Sequence, residues 1–179
     1  RIKSIGYESF YCCFGLKEAD LTTLTSITER SFVACKGLKK VTLGNDITAI
    51  KSSAFNSCDA LEEVVLGSSI NSLESNCFYS DKNALKRVYI TAPAPPAVRS
   101  KPFYSPTSVT LYVPEYAMVS YKLDNYWSKF TKVEPNPNTP DKVNLYKKLE
   151  LTSNARIPNS TDIFLGAKGA LIVNGDNAQ

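Results

Sequence analysis

Apolar positions recur along the chain at a fixed interval. Ile5, Ile27, Ile50 and Leu73 are each followed five residues later by a phenylalanine: Phe10, Phe32, Phe55 and Phe78. The intervals are 22, 23 and 23 residues, and self-similarity at such a period marks a solenoid built from one repeated unit. Six residues after the first three phenylalanines stands Leu16, Leu38 or Leu61; after the fourth, Leu85 comes one residue late. Five further on lies Leu21, Leu43, Leu66 or Ile90. The run between, Leu38-Lys39-Lys40-Val41-Thr42-Leu43 in one unit, alternates like a short strand with one face inward. Ala19, Val41, Val64 and Val88 take its middle inward position. A second apolar pair follows, Ile47 with Ile50 or Ile70 with Leu73. One coil cannot bury these side chains, whereas stacked coils share a continuous core. Ile2 precedes Ile5 by the same three residues, so the chain is expected to open in mid-coil, as a piece of a longer protein with repeats or a cap upstream.

After Ile90 the cluster Pro93, Pro95, Pro96, Pro102 and Pro106 excludes regular helix and predicts an irregular crossing. Val109 to Val113 reads as the strand of the last coil. Val119, Leu123, Trp127 and Phe130 fall at spacings of 4, 4 and 3, one face of a helix, which predicts a helical cap over 115 to 134. Pro135, Pro137 and Pro140 give residues 135–141 the composition of a semi-rigid linker. Weak alternation over 142–179 (Val143, Leu145; Leu149, Leu151; Ile163, Leu165; Leu171, Val173) predicts a small β appendage or the start of a truncated second domain.

The chain has 179 residues, 21 basic and 17 acidic, for a net charge of +4 without a dense basic stripe. That excludes nucleic acid as an expected partner. No run is long and apolar enough to span a membrane. Histidine is absent, which removes Ser-His-Asp and Cys-His constellations and the commonest zinc ligand. Cys12, Cys13, Cys35, Cys58 and Cys77 contain no CxxC and follow the repeat: Cys13, Cys35 and Cys58 each stand three after Phe. They are expected to be free, buried thiols at positions that need a small side chain, and no metal or other cofactor is expected. Glu18, Lys40, Glu63 and Arg87 form one outward column of alternating charge, better read as a solvated ladder than as a catalytic acid and base. Asn159-Ser160-Thr161 fits a glycosylation sequon.

The spacing Ile-x-x-x-Ala-Phe-x-x-Cys-x-x-Leu, seen as Ile50, Ala54, Phe55, Cys58 and Leu61, resembles the BspA-like leucine-rich repeat over residues 1–134. The Leu-Tyr-Val-Pro run, Tyr121, Trp127 and Phe130 are similar to that family's closing segment. The resemblance implies a mainly β leucine-rich repeat solenoid, a right-handed stack of parallel strands with short irregular or 3-10 convex segments. It also implies a secreted or cell-surface bacterial setting, adhesion and host-protein binding, and no catalytic residues. The second outward column is Asp20, Thr42, Val65, Tyr89 and Tyr112. Val65, Tyr89 and Tyr112, with Arg87 and Thr42, are the expected contact residues for a protein ligand on a concave strand face. Two alternatives stand beside this reading. One is a glycan partner, with Trp127 and Phe130 as a sugar platform; the other is a structural spacer.

Overall fold

The computed structural model describes residues 2–139. Its elements are β1 (Glu18–Leu21), β2 (Lys40–Leu43), β3 (Ala49–Ile50), β4 (Glu63–Leu66), β5 (Ser72–Leu73), β6 (Arg87–Ile90), β7 (Ala97–Val98), β8 (Thr110–Val113), α1 (Met118–Leu123) and β9 (Lys132–Pro135). The strands pair in parallel as a six-stranded sheet, β1-β2-β4-β6-β8-β9, and a three-stranded sheet, β3-β5-β7. The coils that begin at β2, β4 and β6 therefore add one strand to each sheet, which is the stack that the repeat predicts.

Repeat arithmetic sets the register. Val41 pairs with Val64, Val64 with Val88 and Val88 with Leu111, and all four are buried. The second apolar pair supplies β3 and β5, with Ile50 opposite Leu73. The Phe residues make the third rail. Phe10, Phe32, Phe55, Phe78 and Phe103 stack face to face at centroid distances of 4.8, 5.0, 5.1 and 5.5 Å. Those distances follow the ~4.8 Å spacing of paired strands, so the coil pitch imposes the stacking. Phe103 extends the column past the four repeats legible in the sequence.

Phe10, Phe32 and Phe55 each lie between two turns of left-handed backbone, and Phe78 follows one. Arg30, Ser53 and Asn76 stand two before Phe at φ 57, 56 and 56°, and Cys12, Ala34 and Ser57 two after it at φ 57, 57 and 58°. Such conformations cost about 1–3 kcal/mol at non-glycine residues. Inter-coil hydrogen bonds offset the cost: Phe32 N donates to Ala54 O at 2.8 Å and Phe55 N to Cys77 O at 2.7 Å. Against the expectation of full burial, Cys12 and Cys13 are only half-buried. Cys35, Cys58 and Cys77 are fully buried as expected, and none of the five forms a disulfide. At the end of β2 the coils touch: a Cβ on Gly44 would collide with the Thr22 carbonyl oxygen.

The cap departs from the expected helix. Val119 and Leu123 are 64% and 79% exposed, while Ala117, Tyr121, Trp127 and Phe130 are buried. α1 is six residues long and stops at Asp124. The Asp124 carboxylate accepts the Tyr126 and Trp127 amides at 2.8 and 3.0 Å, starting a new 3-10 turn that breaks the phase on which the predicted stripe depended. Tyr121 Oη donates to Ala92 O and Ala94 O, and Trp127 Nε1 donates to Pro96 O at 2.8 Å, so the cap satisfies carbonyls of the proline-rich crossing. That crossing is not wholly irregular, because β7 within it pairs with β5. Nor is β8 the last strand. The chain returns as β9, where Glu134 pairs with Tyr112 and Pro135 with Val113. Buried Asn136 then donates to Ile90 O at 2.9 Å. The segment 135–141 accordingly begins inside the stack: a strand end tolerates proline, whose missing N–H removes only one ladder bond. The alternation over 142–179 and the sequon at Asn159 lie outside the described residues.

Candidate functional site

Alternation places two columns on the outer face of the six-stranded sheet. The first is Glu18, Lys40, Glu63, Arg87, Thr110 and Lys132; the second is Asp20, Thr42, Val65, Tyr89, Tyr112 and Glu134. Thr42, Val65, Tyr89, Tyr112 and Arg87 therefore share one face, on β2, β4, β6 and β8. All five are half-buried.

Glu63 organises the first column. Its carboxylate accepts Lys40 Nζ at 2.8 Å on one side and Arg87 Nε at 3.0 Å on the other. Partial burial pushes the Glu63 carboxyl up, but the hydrogen bonds from Lys40 and Arg87 outweigh it and hold the group below the usual glutamate range. The same bonds raise both basic groups. Arg87 is thereby pinned beside Tyr89, its neighbour on that face.

In the second column Tyr89 and Tyr112 stack with centroids 4.5 Å apart and planes within 10°. Burial raises the Tyr89 phenol, and the charge of Glu63 adds to this. Asp20 closes the other end of the column on its own turn, where it accepts Thr22 N at 3.0 Å and Thr22 Oγ1 at 2.7 Å. The arrangement offers two fixed aromatic rings, an apolar Val65, a hydroxyl at Thr42 and an oriented guanidinium. Glu63 and Glu134 were not among the expected contact residues. Glu63 carried a signal, since its column alternates in charge. Glu134 carried none, because it belongs to a strand beyond the last readable repeat.

The remaining candidates resolve structurally. Glu62, beside Glu63 in the chain, pairs with Lys86 at 2.8 Å. Trp127 has no exposed surface, so it cannot serve as a sugar platform. Among the described residues no three His, Cys, Asp or Glu side chains gather as a metal site, and no helix is long and apolar enough to cross a membrane.

The model of the BspA type leucine rich repeat region matches residues 1–110 in six copies. The chain belongs to this family. A solved leucine-rich repeat protein from Bacteroides ovatus is similar at 18% identity and a TM-score of 0.43, over 65% of this chain and 44% of that one. The chain thus spans less than half of that protein's length. No curated protein matches. In this chain the outer columns change from coil to coil, whereas the inward column keeps Val41, Val64 and Val88 in register.

Proposed function

We propose that this chain is a non-catalytic protein-binding module of a secreted or cell-surface bacterial protein, and that it contacts its ligand, a host or surface protein, through the outer face of the six-stranded sheet. One observation carries the reading: the Tyr89–Tyr112 stack stands beside an Arg87 already held by Glu63. Tyr and Arg dominate binding hot spots. Rings and a guanidinium fixed before binding lose little conformational freedom when a partner arrives. Val65 extends the strip by one coil and Thr42 adds a hydrogen-bonding edge.

The test is biolayer interferometry of the chain against immobilised host extracellular-matrix and plasma proteins. The double variant Tyr89→Ala, Tyr112→Ala should weaken binding at least tenfold while its melting temperature stays within a few degrees. Undiminished binding by that variant would place the contact elsewhere. A large drop in melting temperature would mark the rings as packing elements instead.

A further inference from the structure

A second surface lies on the Phe-bearing segments, away from the six-stranded sheet. There an open depression of about 500 Å³ is lined by Asn56, Ser57, Asn76, Tyr79, Asp81 and Lys101. We propose that it is a saccharide-binding site, with hydroxyls held by the amides, carboxylate and ammonium, and the apolar face of a sugar ring on Tyr79.

The depression occurs where the repeat breaks its own rule. Three residues after Phe, the earlier coils place a cysteine, and Cys35 Sγ donates to Phe10 O at 3.0 Å and Cys58 Sγ to Phe32 O at 3.3 Å. In the next coil that position is Asp81. An ionised carboxylate has no proton to donate and would face a carbonyl oxygen. Asp81 is exposed instead, and this coil is the one that takes an extra residue before Leu85. One coil further, Lys101 stands two before Phe103, in the column where the earlier coils hold Arg30 and Ser53 in left-handed turns. Positions at which a repeat abandons its local rules are where function is expected to sit.

The donors and acceptors there are available. Among the described residues neither Asp81 nor Lys101 has an ion-pair partner. Asn56 Oδ1 accepts only the Ser57 hydroxyl, at 2.7 Å, which leaves its amide nitrogen free to donate. Tyr79 is braced by Tyr104, edge to face at 5.5 Å, so its ring is a fixed wall.

The lining also selects the ligand class. Its volume falls in the range of small-molecule sites, about 300–1,000 Å³, yet it lacks the aliphatic walls that an apolar ligand or a protein anchor residue would need. Its one lysine faces one aspartate, so no net positive field recommends it to a polyanion. Neutral amides that both donate and accept, one acid, one base and an aromatic face match a ring that carries both hydroxyls and a C–H face.

The experiment is a glycan array of neutral, uronate-bearing, sialylated and sulfated saccharides, followed by isothermal titration with the strongest binder. The chain should bind at least one class. Asp81→Asn and Tyr79→Ala should each weaken the titrated affinity at least tenfold at unchanged melting temperature. If Tyr79→Ala lowers the melting temperature by more than a few degrees, exposed Asp81 decides alone. An array without signal above background overturns the proposal, and so does affinity unchanged in Asp81→Asn.

Discussion

At the scale of single residues, stability rests on side chains sandwiched between copies of themselves. Phe55 is fully buried and stacked on both faces, by Phe32 and Phe78. Phe10 stacks on Phe32 alone and keeps 37% of its surface exposed. The same substitution should therefore cost different amounts. Phe55→Ala removes a complete buried ring and opens a cavity between coils, a loss of about 3–5 kcal/mol. Phe10→Ala empties a position already open on one side, where the surroundings can collapse or take water, and should cost about 1–2 kcal/mol. Urea unfolding of the two variants checks this through the shift of the midpoint at constant slope; equal losses would show that the first coil is packed as tightly as the third. The buried thiols behave by the same logic. Burial pushes the Cys77 thiol up. The Cys58 thiol is raised by its hydrogen-bonding contact with Cys35 and by burial, so neither group carries reactive thiolate at neutral pH.

At the scale of elements, what the sequence made legible is what the coil period controls. β1, β2, β4, β6 and β8 follow from alternation around one inward residue, and the pairs Ile47/Ile50 and Ile70/Leu73 mark β3 and β5 closely enough to place the second sheet. The Val65, Tyr89 and Tyr112 column was readable for the same reason, because a constant offset along the chain becomes a register across strands. Beyond the repeats that constraint lapses. The helical spacing of Val119, Leu123, Trp127 and Phe130 was present in the sequence, but the Asp124 carboxylate restarts the turn and leaves Tyr121 as the buried residue of α1. β9 was hidden by the proline at its end, Pro135, and by Pro137 beyond it. The depression at Tyr79 and Asp81 depends on three coils converging, although the late Leu85 and the missing cysteine were its traces. Charge along the ladder is also an element property, and its pH dependence has a definite sign. Glu63 titrates lower in the folded chain than unfolded, so its contribution is present above the unfolded glutamate value of about 4.3 and is lost as pH falls through the lower folded value. Because Lys40 and Arg87 keep 44% and 41% of their side chains exposed, solvent screening limits the pair of bridges to roughly 0.5–1 kcal/mol. Glu63→Gln should therefore lower the melting temperature by a few degrees at pH 7 and close that gap by pH 3, as followed by circular dichroism. A gap that persists at pH 3 would assign Glu63 a packing role in place of an electrostatic one.

At the scale of the whole molecule, a stack of coils is a one-dimensional object whose ends are its weak points, since each coil is stabilised by its neighbours. The C-terminal end carries three linked devices. Trp127 and Phe130 lie edge to face against Phe103, at 6.3 and 5.8 Å, and cover the last ring of the Phe column. Tyr121 and Trp127 take up carbonyls of the proline-rich crossing at Ala92, Ala94 and Pro96. β9 then pairs with β8 over four positions, Thr110 with Lys132 through Val113 with Pro135, and so supplies the hydrogen bonds that an open edge of the six-stranded sheet would lack. A chain ended at Pro114 loses all three at once. It bares Phe103 and leaves β8 as an unpaired parallel edge, open to pairing with other chains. Such a chain should melt many degrees lower and elute as aggregates in size-exclusion chromatography, whereas a chain ended after Thr139 should keep the cap, the strand and the buried Asn136. The comparison is specific: if the shorter chain stays monomeric and melts with the longer one, the cap covers the stack without supporting it, and the stability resides in the coils between β1 and β8 alone.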